Sequence, residues 1–177
     1  MNLFEITEMI RKFDPDTYVH CKRTAVLAEA VAMYSDLDAD LLKQAALIHD
    51  VGKIFVNPDI LHKSSCLTDE ERNIIDSHSL LGYQYYCELT EADPKIGILI
   101  LFHHGFEKVP EKYHYLAKGL EAEIQIMKSI DVFDALTSTR PYRKALPEEK
   151  VYSIMEEEHC QKETIEVIKM LKLHNLV

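Results

Sequence analysis

The segment ALIHDVGKIFV, Ala46 to Val56, carries an apolar stripe of Leu42, Ala45 and Ala46 into an imidazole, a carboxylate and an ammonium group: His49, Asp50 and Lys53. Buried polar groups are costly without partners, and buried charges more so. These three are therefore either exposed at a helix end or bound to something. More residues of the same kind sit on apolar faces elsewhere. His20 shares a stripe with Thr24, Leu27 and Val31, and His78 shares one with Ile74, Leu81, Gly82 and Tyr85. His103 and His104 close the run IGILILFHH, and Asp131 lies between Met127 and Ala135. Each has an ordinary reading alone: a hydrogen-bonded core histidine, a cation at a helix C-terminus, a carboxylate paired with Lys or Arg. Asp50 could likewise cap the turn at Gly52. Taken together, five histidines and two aspartates would need seven separate partners inside one small core. One pair of divalent ions satisfies them all, and neutral imidazole suits iron, manganese, zinc or nickel.

Two such ions, about 3.5–4 Å apart, lower the pKa of a shared water and clamp the oxygens of a phosphoryl group. Asp50 is the natural bridging carboxylate. Lys53 would then neutralise charge growing on phosphate oxygens, although on its own it reads as a solvated surface lysine. A second basic group, Arg140, Arg143 and Lys144 in TSTRPYRKA, follows the helix of Asp131. Two readings stay open for it: guanidinium forks for substrate phosphates, or neutralisation of a helix C-terminus.

The elements that must position these groups all read as helices. The chain has five glycines, no Asn-Gly or Asp-Gly hairpin signal and no sustained alternation of apolar and polar residues. Asp14-Pro15 and Asp93-Pro94 mark helix starts, Thr68-Asp69-Glu70-Glu71 reads as a capping box, and Gly105 stands where a C-terminal cap belongs. Helices are expected near 2–12, 15–35, 38–51, 69–89, 94–104, 119–139, 147–159 and 161–174. The stretches 52–67, with one turn around Asp59, and 106–117 are expected to be irregular. The fold class is all-α, a compact bundle of about seven or eight helices, with residues 1–177 forming one domain.

Composition narrows the function classes. The 177 residues are 47% hydrophobic and 28% charged, ordinary for a globular protein. A net charge of −10 argues against polymeric nucleic acid as a partner, but not against a small anionic ligand held by cations. No apolar run is long enough for a membrane span, and MNLFEITEMIRKF lacks the basic start of a signal peptide. Cys21, Cys66, Cys87 and Cys160 show no CxxC spacing. A reduced cytoplasmic protein is the expectation.

His49-Asp50, with distant His20 and Asp131, resembles the HD superfamily of metal-dependent phosphohydrolases. HDVGKI, NPDILHK, LTDEE, HSLLG, the pair His103-His104 and DVFDALTSTRPYRKA, in that order, resemble the HD-GYP branch over about residues 16–155. The resemblance implies a helical HD-domain bundle that hydrolyses cyclic di-GMP with two divalent ions, iron or manganese. His20, His49, Asp50 and Asp131 would hold one ion, and Asp50, His78, His103 and His104 the other. Lys53 would touch the scissile phosphate, and Arg140 and Arg143 the phosphates of a small nucleotide substrate. Asp16 falls where members with three metals place a glutamate and is a candidate ligand for a third ion. The chain departs from the pattern after the histidine pair: Gly105 replaces a glutamate, and HHGFEKVPEKYHYLAKGL contains no GYP. That loop is associated with contacts to diguanylate cyclases, so its loss counts against such a partner. Three other readings remain open at this point: an HD phosphohydrolase acting on another nucleotide, a di-iron oxygenase, and a non-catalytic binding module.

Overall fold

A computed structural model describes residues 2–89, 92–139 and 144–176. Among the described residues lie ten α-helices and no strand. They are α1 Leu3–Phe13, α2 Pro15–Ser35, α3 Ala39–Ile48, α4 Pro58–Leu61, α5 Asp69–Asp76, α6 His78–Cys87, α7 Pro94–Phe102, α8 Glu121–Thr137, α9 Glu148–Glu157 and α10 Lys162–Leu173. Short 3-10 segments at Val51–Phe55, Phe106–Lys108 and Glu111–Ala117 fill the connections. No described helix is long and apolar enough to cross a membrane.

The helix starts follow the cap residues. Asp14 accepts the Asp16 amide ahead of Pro15, Asp93 accepts the Lys95 amide ahead of Pro94, and Thr68 and Glu71 close their reciprocal box. Gly105 takes φ 96° and ψ 168° two residues beyond the C-cap His103, a positive-φ turn that suits glycine but is not the left-handed helix cap expected from the sequence. The all-α expectation holds, but the helix count exceeds seven or eight for two reasons. The turn around Asp59 closes as α4, and the stretch expected as one helix over 69–89 breaks at Ser77. There the Ser77 hydroxyl donates to the Ile74 carbonyl at 2.6 Å, and His78 Nδ1 donates to the Ile75 carbonyl at 2.5 Å. The chain turns at Ser77 and starts a new helix at His78.

The long helix α2 runs through the middle of the bundle against α1, α3, α8 and α10. It buries Cys21, Thr24, Ala25, Leu27, Ala28, Val31 and Ala32. Helix α7 is almost entirely core, with Ile96, Leu99, Ile100, Leu101 and Phe102 all buried between α3, α6 and α8. The consequence for the site is one of placement. Helices α3 and α7 end, and α6 begins, in the same interior region that α2 and α8 cross mid-length.

Gly52 serves this convergence by its size. Its segment presses against the first turns of α6, where an added Cβ would overlap the His78 carbonyl oxygen and come within 2.6 Å of the Gly82 nitrogen. Gly82 answers from the other side, its own Cβ position lying 3.1 Å from the Gly52 nitrogen. Both obstacles are backbone and cannot swing aside. Gly52→Ala should therefore cost about 3 kcal/mol or more and lower the melting temperature by about 6–12 °C. Thermal circular dichroism checks this, and an unchanged melt would contradict the close approach.

Candidate metal centre

Each ligand candidate reaches the centre from a different element. His20 projects from α2, His49 and Asp50 from the turn after α3, and His78 from the first residue of α6. His103 and His104 follow the end of α7, and Asp131 sits on α8. All seven converge. His20 Nε2 lies 3.2 Å from His49 Nε2, 3.1 Å from Asp131 Oδ1 and 3.7 Å from Asp50 Oδ2. On the other side, His78 Nε2 lies 3.1 Å from both His103 Nε2 and Asp50 Oδ1. Asp50 therefore divides its two oxygens, Oδ2 toward His20 and His49 and Oδ1 toward His78 and His103. Asp131 divides its oxygens too. Oδ1 faces His20 and Oδ2 lies 3.2 Å from His104 Nδ1, so it touches both sets, where the resemblance implied only one.

Two groups of donor atoms result, His20–His49–Asp50 and His78–His103–His104, each within 4.8 Å internally. Their fit to divalent ions can be judged from the other ring nitrogens. Nδ1 of His49, His78 and His103 each donates to a backbone carbonyl three residues earlier, of Ala46, Ile75 and Ile100. His20 Nδ1 donates to Asp134 Oδ2 at 2.7 Å. A carbonyl or carboxylate only accepts, so these bonds place the proton on Nδ1 and aim the Nε2 lone pair at the centre. Nitrogen lone pairs facing each other at 3.1–3.2 Å need a cation between them, whether a proton or a metal.

The electrostatics differ between the two sides. Burial lowers the pKa of His78, and burial together with His104, His49 and His78 lowers that of His103 well below its usual value. Both are thus kept neutral and ready as ligands. Burial also opposes charge on His20 and His49. There the carboxylates win: Asp131 and Asp134 raise His20, and Asp50 and Asp131, helped by the Cys21 sulfur, raise His49 well above the usual imidazole range. Burial opposes charge on Asp50 and Asp131 as well. Lys53, His49 and His78 nevertheless hold the first well below the usual carboxylate range, and His104, His20 and His49 hold the second there. Lys53 Nζ donates to Asp50 Oδ2 at 2.6 Å. The donor set of imidazoles and bridging carboxylates suits a pair of borderline divalent cations.

Asp16 lies on the first turn of α2 and shares a cavity wall with His20 and Lys53, outside both donor groups. Arg140 and Arg143 lie outside the described residues. Two participants escaped the sequence reading. Asp134, 6% exposed, holds His20 and also accepts two hydrogen bonds from the Arg23 guanidinium, at 2.6 and 2.8 Å. Their signal was helical spacing, Asp134 three residues after Asp131 and Arg23 three after His20.

The HD domain profile matches residues 17–136. The chain belongs to the HD domain family. It is 31% identical over 146 residues to the 3'3'-cGAMP-specific phosphodiesterase 3 of Vibrio cholerae, covering 81% of this chain and 32% of that protein. It is 29% identical over 148 residues to the cyclic di-GMP phosphodiesterase response regulator RpfG of Xanthomonas campestris, covering 81% and 39%. The chain thus spans between about a third and two-fifths of the length of these curated relatives. The HD domain of L. monocytogenes phosphodiesterase PgpH, solved in complex with cyclic-di-AMP, shares the HD-domain fold. It superposes with a TM-score of 0.68 at 20% identity, over 97% of both chains.

Ions that bind the folded HD domain alone stabilise it by mass action. Mn(II) at about a hundred times its dissociation constant should add about 2.7 kcal/mol, raising the melting temperature by about 5–10 °C, and a chelator should reverse the gain. Asp134→Ala removes the acceptor that orients His20. It should weaken Mn(II) binding about 10–100-fold in calorimetric titration while the helical spectrum is retained. Unaltered affinity would remove Asp134 from the centre.

Proposed function

We propose that this HD domain is a metal-dependent phosphodiesterase of the HD-GYP type, opening a cyclic dinucleotide such as cyclic di-GMP by hydrolysis of one phosphodiester bond. The observation that carries the reading is the division of Asp50 between two imidazole sets with the Lys53 ammonium on the same carboxylate. The names of the relatives and the helical superposition support the cyclic-dinucleotide class. We read the chain as one domain of a cytoplasmic protein.

His20, His49, Asp50 and Asp131 would hold one divalent ion, and Asp50, His78, His103 and His104 a second, iron or manganese. When bound, such a pair supplies Lewis acidity and a water of lowered pKa. The chain's own groups do the rest. Lys53, half-buried and kept protonated by Asp50 against the penalty of burial, stands ready to neutralise charge on the non-bridging phosphate oxygens. Arg140 and Arg143 would add guanidinium forks to the substrate phosphates. The Nδ1 anchors of four histidines hold the rings still, so little reorganisation is needed as the phosphorus changes geometry. Water adds to phosphorus, the bond to one ribose oxygen breaks, and that oxygen leaves with a proton as the linear dinucleotide forms.

Anaerobically purified protein supplied with Fe(II) or Mn(II) should convert cyclic di-GMP to linear pGpG or GMP, read by chromatography. Asp50→Ala should abolish the product, and Lys53→Ala should lower kcat about 10²–10³-fold. Two bound metals with no cleavage would reject cyclic di-GMP, and turnover that survives Asp50→Ala would reject the centre.

A further inference from the structure

A cavity of about 260 Å³ is lined by His20 and Lys53 and, from the end of α4, by Leu61, Lys63 and the exposed His62. We propose that this cavity is the subsite for the part of a nucleotide substrate remote from the attacked phosphate, with His62 and Lys63 as its recognition groups. The inference rests on the phosphodiesterase reading for its orientation, since Lys53 marks the end at which the reacting phosphate would lie.

Size comes first. Pockets that enclose a drug-sized ligand run about 300–1,000 Å³, so this cavity takes one portion of a cyclic dinucleotide rather than the whole. Its chemistry is that of a nucleotide seat. Val19, 46% exposed on α2, and Leu61 offer apolar surface for a base or ribose. Arg23, Lys53 and Lys63 bring three cationic donors to one cavity of a protein whose net charge is −10. Each is fixed by a carboxylate: Arg23 by Asp134, Lys53 by Asp50, and Lys63 by both oxygens of Glu71 at 2.7 and 2.6 Å. Donors held in this way bind acceptor oxygens without a large loss of side-chain entropy. Asp14 and Asp16 add two carboxylates, of which Asp14 already accepts the Thr17 hydroxyl and the Asp16 amide. His62 differs from the lysines and arginine in having no side-chain hydrogen bond or ion pair among the described residues. An uncommitted imidazole on the cavity wall is the group best placed to donate to an incoming acceptor.

The acceptor can be a phosphate oxygen or a base carbonyl, and the experiment separates them. Mn(II)-loaded protein is titrated with GMP and with guanosine in a calorimeter, using wild type, His62→Ala, Lys63→Ala and Glu71→Gln. Glu71→Gln breaks the Lys63 ion pair from its other end and so isolates the structural part of any Lys63 effect. His62→Ala and Lys63→Ala should each weaken GMP about tenfold, the worth of one charge-assisted hydrogen bond, and Glu71→Gln, which only frees Lys63 to move, should weaken it by no more than about threefold. The ratio of kcat/KM for cyclic di-GMP to that for bis(p-nitrophenyl) phosphate should fall by the same factor. Guanosine weakening in parallel assigns the pair to the base, and weakening of GMP alone assigns it to phosphate. No GMP binding by wild type, equal affinity in all four proteins, or Glu71→Gln reproducing the Lys63→Ala loss would each overturn the subsite. GMP binding that depends on His62 without cleavage of any cyclic dinucleotide would instead overturn the phosphodiesterase reading and leave the subsite standing.

Discussion

The fully enclosed carboxylate of Asp50 is the constraint around which this fold is arranged. A carboxylate removed from water carries a penalty of several kcal/mol unless counter-charges and hydrogen bonds surround it. Here the surroundings come from four places in the chain: Lys53 one turn on, His49 beside it, and His20 and the pair His78–His103 from distant helices. To bring them together, α3 and α7 must stop and α6 must start at one point in the core. Gly52 and Gly82 are small because that point leaves no room for a Cβ between the two backbones.

Helix ends also solve the problem of aiming the imidazoles. The last carbonyls of a helix lack a partner in the ladder, and a histidine in the final turn can use one. His49 and His103 do so at the ends of α3 and α7, and His78 does so across the break at Ser77, each binding the carbonyl three residues back. His20 has no such option. It lies inside α2, where the backbone carbonyls already belong to the helix, and its Nδ1 turns to the side chain of Asp134 instead. That carboxylate is itself buried and draws in Arg23, whose guanidinium keeps it below the usual carboxylate range against burial, with help from His20. The Arg23–Asp134–His20 chain thus follows from placing this imidazole inside α2 rather than at a helix end.

This difference explains what the sequence made legible. His49, His78, His103 and Asp131 stood out because each is an ionisable group on an otherwise apolar face, and their convergence could be inferred from cost alone. Cap residues gave the helix starts for the same local reason. Asp134 and Arg23 were harder to see, since a lone acid and base at helical spacing look like an ordinary surface pair until a distant imidazole is known to join them. The break at Ser77 was equally hidden. Periodicity over 69–89 records only the apolar face, which continues through the break. Gly52 read as a turn residue, whereas its contacts with His78 and Gly82 show that close approach is what it supplies.

The stretch after His104, where the chain departs from the HD-GYP pattern, bears on the centre indirectly. Gly105 has a positive-φ backbone that also brings the Glu107 carboxylate against the space its own missing Cβ would fill. Glu107 then pairs with Lys128, which is buried on α8 one turn before Asp131. Phe106 packs its ring 5.1 Å from Phe102, the last residue of α7, and 5.5 Å from His114, whose Nε2 donates to the Val109 carbonyl. The replaced loop is thus tied to α7 beside the histidine pair and to α8 beside Asp131. A residue larger than glycine at 105 would push Glu107 away and leave Lys128 buried without its counter-charge, a change felt on the helix that carries Asp131. The contacts of Phe106 and Glu107 therefore brace the end of α7 beside His103 and His104 and the stretch of α8 beside Asp131.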